Sequence, residues 1–265
     1  MNPVELFENE FEEFLGVNYA VAVCNGTAAL HSALLALDVQ PGDKVITTPF
    51  TFVATANTIL MCGATPVFAD VDPETYCIDP KEVEKQLDIH PDAVGVVAVH
   101  LFGRTVDMVA LRYAMGERFI VEDASQALGA RIDCLDANAG SLGDAGTFSF
   151  YASKNLSSYE GGMIVTPYTS VHEKLLKIRN HGLDENNRMV TMGYNYKMPW
   201  NCAFHGWQTL LLHKPGILAE LRRYDIGGEF YPEVVYNQPY YKQLGITGDC
   251  PIAEELARKV REGKL

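Results

Sequence analysis

Apolar positions recur every three to four residues at the start of the chain, at Phe7, Phe11, Phe14 and Leu15, and stop at Gly16. That spacing predicts a short amphipathic helix with a solvated acidic face, and Gly16 supplies its left-handed stop. Beyond it the period changes. Short, almost wholly apolar runs alternate with longer helical ones: YAVAV (19–23), then AALHSALLAL (28–37); VITT (45–48), then FVATANTILMC (52–62), closed by Gly63. PVFAD (66–70) precedes a helix opening at Pro80, with Asp79 as N-cap and Glu82 as the reciprocal member of a capping box. VGVVAVH (94–100), TVDMVALRYAM (105–115), FIVED (119–123), AGTFSF (145–150) and GMIVT (162–166) continue the alternation. Strands this apolar are buried on both faces, which predicts an α/β domain with a mostly parallel sheet between helices.

Past residue 170 the pattern turns helical, in VHEKLLKIRN and WNCAFHGWQTLLLHKPGILAELRRY, before a Tyr- and Pro-rich stretch to residue 251. Strand-forming sequence is nearly spent by Thr166. The last third is therefore expected to supply a packing shell, a dimer face or the remnant of a small second domain. The 265 residues, 48% apolar and 21% charged, suffice for a large core and exclude a disordered chain. Lys and Arg number 21 against 34 Asp and Glu, and the resulting net charge of −13 argues against nucleic acid as a partner. A local anion site built from backbone N–H groups is untouched by that global sign.

The six cysteines (Cys24, Cys62, Cys77, Cys134, Cys202, Cys250) include no CxxC pair, so they are expected to be reduced, mostly packed thiols with no metal site among them. The N-terminal segment is acidic, and no apolar run approaches the ~20 residues of a membrane span, which predicts a cytoplasmic protein without a membrane partner. The triplets Asn25-Gly26-Thr27 and Asn155-Leu156-Ser157 match a glycosylation pattern that means nothing without secretion.

In a parallel α/β sheet, ligands bind beyond the carboxyl ends of strands. Three such places carry polar groups. Asn25-Gly26-Thr27 follows YAVAVC and leads into a helix, offering free N–H groups, a hydroxyl and a positive dipole end to a phosphate; an ordinary N-cap by Asn25 or Thr27 is the plainer reading. FIVED ends in Glu122-Asp123, with Gln126 following. A buried carboxylate there needs a cation or a donor, either an Arg or helix N-terminus of the protein or a protonated ring nitrogen of a cofactor. AGTFSF ends near Ser149 and runs through Lys154 to a Gly-rich turn at Gly161-Gly162. A lysine held there is either an ordinary surface residue or an amine whose pKa desolvation lowers for Schiff-base chemistry. All three features are expected on one sheet edge, and their conjunction is more specific than any one of them.

NGTAALHSALLAL, PGDKVITTPFTFVATANTILMCGATPVFADVD, VEDASQALGA, GDAGTFSFYASKNLSSYEGGMIVT and NHG…GYNYKMP, in that order, strongly resemble the DegT/StrS family of pyridoxal-phosphate-dependent nucleotide-sugar aminotransferases, from about Phe11 to about Leu221. The resemblance implies an aspartate-aminotransferase-type (fold type I) large domain over residues 1–215 and a truncated small C-terminal domain over 216–265, acting as a homodimer with shared active sites. It implies pyridoxal 5′-phosphate as cofactor, joined to Lys154 as a Schiff base, with Lys154 then shuttling the proton. Asp123 would keep the pyridine nitrogen protonated and Gln126 would lie near the phenolic oxygen. Gly26, Thr27 and Ser149 would bind the phosphate, with Asn195 reaching across from the partner subunit, and Phe52 would stack on the ring unless it simply packs in the core. His181 is left as a substrate-pocket residue.

The implied reaction moves an amino group from a donor such as glutamate to a keto group of a nucleotide-linked deoxysugar, for polysaccharide or glycoside biosynthesis. Two alternatives stay open: a cofactor-binding regulatory protein without turnover, and a sugar dehydratase. Some relatives carry histidine in place of the lysine and eliminate water, and Lys154 argues against that. Compared with the family, the chain has a shorter N-terminal arm, lacks a segment after Arg223, and carries Tyr236 where a histidine is usual.

Overall fold

The computed structural model describes residues 2–213 and 231–264, and the boundary expected at 215/216 lies outside them, as do Leu221 and Arg223. In chain order the elements begin with α1 (Pro3–Leu15), β1 (Tyr19–Val23), α2 (Gly26–Ala36), β2 (Lys44–Thr47), α3 (Ala54–Met61) and β3 (Thr65–Phe68). Then come α4 (Pro80–Ile89), β4 (Ala93–Val99), α5 (Met108–Met115), β5 (Phe119–Asp123), β6 (Arg131–Ile132), β7 (Ala137–Asn138), β8 (Ala145–Ser149) and β9 (Gly162–Thr166). Helices follow: α6 (Thr169–Arg179), α7 (Trp200–His213), α8 (Pro239–Gln243) and α9 (Pro251–Arg261). The chain divides into one unit of Met1–Asp38 with Val121–Asp225, and another of Val39–Ile120 with Ile226–Leu265.

In the first unit the strand order is β1-β9-β8-β5. β5 and β8 run parallel, and β9 runs antiparallel to both β8 and β1. α1 has a full capping box: the Asn2 carboxamide oxygen accepts from the N–H groups of Val4 and Glu5 while the Glu5 carboxylate reaches back to the Asn2 N–H, and Gly16 closes the helix at φ 71°. Its acidic face is only partly solvated. Glu12 accepts from the Ala20 N–H at 2.9 Å and Glu8 from the Ala22 N–H at 2.7 Å, so two helix carboxylates satisfy the outward edge of β1. Glu8 also pairs with Arg179 at 2.5 Å with both side chains largely buried, and burial pushes the Glu8 carboxyl up against the opposing pull of that guanidinium.

Phe7 and Phe11 pack on Phe150 at 5.1 and 5.6 Å, and Phe11 meets Phe148 at 5.0 Å. All four rings are at most 1% exposed, each a burial that stabilises by about 2–3 kcal/mol. This cluster clamps the end of β8, from which the Lys154 loop departs. α2 is buried nearly all round, consistent with its Ala- and Leu-rich sequence.

The second unit carries β4-β2-β3, all parallel. Asp79 caps α4 as expected, accepting from the Lys81 N–H, but the expected box is not formed: Glu82 instead pairs with Lys85, one turn on. Asp70, just past β3 and 4% exposed, accepts from the N–H groups of Ile252 and Ala253, both at 2.8 Å, and so holds the N-terminus of α9. Tyr236 is a core residue here. It packs on Phe68 and donates its hydroxyl to Glu254 at 2.9 Å, and burial pushes its phenol up.

Candidate active site

β1 ends at Val23, and Asn25 caps α2 by accepting from the Ala28 N–H at 2.8 Å. The plain N-cap reading is therefore true of Asn25, and it leaves Gly26 and Thr27 in the first helical turn, where N–H groups lack intrahelical partners. Gly26 is buried because it presses on the end of β8: a Cβ there would stand 2.8 Å from Ser149 Cβ and 3.1 Å from Ser149 Oγ. Gly162, which opens β9 and pairs with both Val23 and Ser149, comes as close to the turn, since a Cβ on it would lie 2.5 Å from the Asn25 carbonyl oxygen. Two glycines thus bring a helix N-terminus, the half-buried Thr27 and the Ser149 hydroxyl to one spot, an arrangement suited to a phosphate. Burial, with the Glu160 charge acting the same way, pushes the neighbouring Cys24 thiol up.

The register of β5 on β8 pairs Asp123 with Thr147, so Asp123, Thr147 and Ser149 share one face of the sheet and Glu122 takes the other. The two neighbouring carboxylates therefore do different work. Glu122 is fully buried and accepts from the N–H groups of Gly140 (2.8 Å), Leu142 (2.6 Å) and Gly143 (2.5 Å), anchoring the loop before β8. Asp123 is 5% exposed, accepts from the Ser125 N–H at 3.2 Å, and sits on the face that carries Ser149. Gln126 follows, half-buried.

Lys154, half-buried, lies in the loop between β8 and β9. Main-chain bonds close that loop at its base, from Phe150 N–H to Gly161 O and from Ser158 N–H to Phe150 O, while the Lys154 N–H donates to Tyr151 O, each at 2.9 Å. α7 supports it: Gly206 lets Ser158 come close, and Tyr159, at φ 67°, stacks on His205 at 4.4 Å. A left-handed tyrosine costs about 1–2 kcal/mol, which that stack offsets in part.

Asn195 is exposed, but its segment is fixed. The Tyr194 and Tyr196 N–H groups donate to Ile178 O (2.7 Å) and Arg179 O (3.0 Å), and Tyr196 O accepts from the Cys24 N–H at 2.9 Å. His181 is an exposed turn residue at φ 58°, bonded through its N–H to Tyr194 O. Phe52 belongs to the second unit and is 58% exposed, so core packing does not account for it. Gly26, Thr27, Asp123, Gln126, Ser149, Lys154 and Asn195 all fall in the first unit. The sequence marks Gly162 only as part of a Gly-rich turn, although a glycine opening a strand is also a signal of close backbone approach.

The chain has counterparts among known proteins. Over 234 residues the chain is 36% identical to a GDP-perosamine synthase of Vibrio cholerae, covering 85% of this chain and 63% of that enzyme. It therefore spans less than two thirds of that relative. A DegT DnrJ EryC1 StrS aminotransferase from Brucella abortus superposes with a TM-score of 0.86 over 96% of this chain and 83% of that one, at 25% identity. DesI, crystallised in the presence of its TDP-sugar product, superposes with a TM-score of 0.73 over 80% of this chain and 53% of its own, at 37% identity. The fold is accordingly the aspartate-aminotransferase type. Residues 2–213 match the model of the DegT/DnrJ/EryC1/StrS aminotransferase family, and the chain belongs to that family.

Proposed function

We propose that this protein is a pyridoxal-phosphate-dependent aminotransferase that takes an amino group from glutamate and places it on the keto group of a nucleotide-linked deoxysugar, in polysaccharide or glycoside biosynthesis. The observation that carries the reading is the convergence at the end of β8: Gly26 packed on Ser149 at the N-terminus of α2, Asp123 on the same sheet face, and the lysine loop leaving the same strand. These residues fit a phosphorylated aldehyde with a basic ring nitrogen. The Gly26–Thr27 N–H groups and the Thr27 and Ser149 hydroxyls hold the phosphate without need of a basic side chain. Asp123, buried on a rigid strand, holds the ring-nitrogen proton. Gln126 would support the phenolic oxygen, and the Lys154 amine would hold the aldehyde and serve as the group that carries a proton to and from the amino-bearing carbon. When bound, the cofactor supplies the electron sink for that carbon.

Phe52, exposed in its own unit, would be the residue that stacks on the cofactor ring in this reading. Asn195 completes the phosphate site of a second subunit, which makes the functional form a homodimer. In this reading residues 1–215 form the large domain, 216–265 belong to the small one, and the protein works in the cytoplasm. Among the described residues no helix is long and apolar enough to cross a membrane. The GDP- and TDP-sugar chemistry named for the two relatives supports a nucleoside-diphosphate sugar as substrate.

The test is the isolated half-reaction. Protein loaded with pyridoxal phosphate and mixed with glutamate should release 2-oxoglutarate in proportion to sites, and the amino form should then aminate a nucleotide-linked 4-keto-6-deoxysugar. Uptake of cofactor with no half-reaction from any amino donor would favour a regulatory protein, and ammonia released from the sugar step would favour a dehydratase.

A further inference from the structure

His31 lies on α2 roughly one and a half turns beyond Gly26 and is 1% exposed. Its Nδ1 stands 3.1 Å from the Tyr196 hydroxyl, and its ring packs edge-on against Tyr194 and Tyr196 at 5.0 and 6.0 Å. The two tyrosines stack on each other, 4.9 Å apart and nearly parallel. Alternation along this extended segment puts both tyrosines on the side facing α2 and leaves Asn195 exposed on the other. Burial alone pushes the His31 imidazole below its usual range, so near neutral pH the ring is uncharged.

Among the described residues, His31 Nε2 is a buried side-chain nitrogen without a hydrogen-bond partner. An apolar side chain of similar volume would fill the same space without that cost. What it would lack is the bond to Tyr196. Main-chain bonds to Cys24, Ile178 and Arg179 fix the backbone of the Asn195 segment, and the His31–Tyr196 contact adds a side-chain tie between that segment and α2, the helix that carries the phosphate turn.

We propose that His31 is a positioning residue for the phosphate end of the site, holding through Tyr196 the segment that presents Asn195 in register with the Asn25–Thr27 turn. The inference rests on the reading of that turn as a cofactor-phosphate cradle. In the dimer, each clasp aligns the Asn195 that serves the second copy.

The experiment compares pyridoxal 5′-phosphate with pyridoxal, which keeps the aldehyde and ring but lacks the phosphate. Wild type, Tyr196→Phe and His31→Leu are titrated with each, and far-UV circular dichroism and melting temperature report the fold. Tyr196→Phe keeps the ring stack, so it decides the matter even where His31→Leu folds poorly. Loss of the bond should weaken pyridoxal phosphate about tenfold and leave pyridoxal within about twofold, since pyridoxal never engages Asn195. Equal weakening of both ligands would mark His31 as a packing residue only, and unchanged affinity for both would overturn the proposal. Failure of the wild type itself to take up pyridoxal phosphate would overturn the underlying functional reading and this inference with it, an outcome distinguished by the silent control.

Discussion

Gly26 does its work by having no side chain. A methyl group there would meet Ser149 Cβ at 2.8 Å, and neither the first turn of α2 nor the end of β8 has slack to give. Gly26→Ala should cost about 1–3 kcal/mol of stability through overpacking and weaken pyridoxal phosphate by about tenfold as the helix is pushed off the serine. Adding Ser149→Gly should return most of the melting temperature by making room, while affinity stays low because the hydroxyl is gone. Recovery of affinity along with stability would mean that Ser149 takes no part in phosphate binding. At this scale the candidates Gly26, Thr27, Asp123 and Lys154 could be picked from the sequence, because each ends or follows a strand whose apolar pattern is plain. It could not apportion Glu122 and Asp123. Adjacent residues point to opposite faces, and only the register against β8 reveals that Glu122 anchors a loop while Asp123 shares a face with Ser149. Nor could it find His31, whose partners stand far along the chain at Tyr194 and Tyr196.

Among the elements, α1 has more to do than its amphipathic pattern suggests. Its phenylalanines clamp the end of β8, and its glutamates satisfy the exposed edge of β1, a place where unpaired N–H groups invite strand addition. Arg179 from α6 neutralises Glu8 in that layer. Arg179→Met should therefore destabilise by about 3–5 kcal/mol, since it leaves a buried carboxylate without its counter-charge. The pair Arg179→Met with Glu8→Gln should regain a large part of that loss in thermal melts; two losses that merely add would show that the pair is not coupled. The helix was legible from spacing, whereas its use of carboxylates on a neighbouring strand was not. The two-residue strands β6 and β7 are too short to leave a pattern. The missing half of the expected box at Asp79 has a plain reason: the Asp79 N–H already donates to Asp70 O at 3.0 Å, and Glu82 pairs with Lys85 one turn on.

For the whole molecule, the fold class was readable because the strands are buried on both faces and their apolar runs are continuous. The C-terminal part was harder. Resemblance placed Tyr236 at a position where relatives carry histidine, and the structure buries it against Phe68 with its hydroxyl on Glu254, in a unit where Asp70 secures the last helix. A net charge of −13 would be no obstacle to a cofactor phosphate held by backbone N–H groups and hydroxyls in the proposed cradle. The proposed chemistry would turn on one amine. Borohydride reduction of the protein incubated with pyridoxal 5′-phosphate, followed by proteolysis and mass spectrometry, should place the phosphopyridoxyl group on Lys154 and leave the Lys154→Ala variant unlabelled. Label on any other lysine, or none at all, would contradict it.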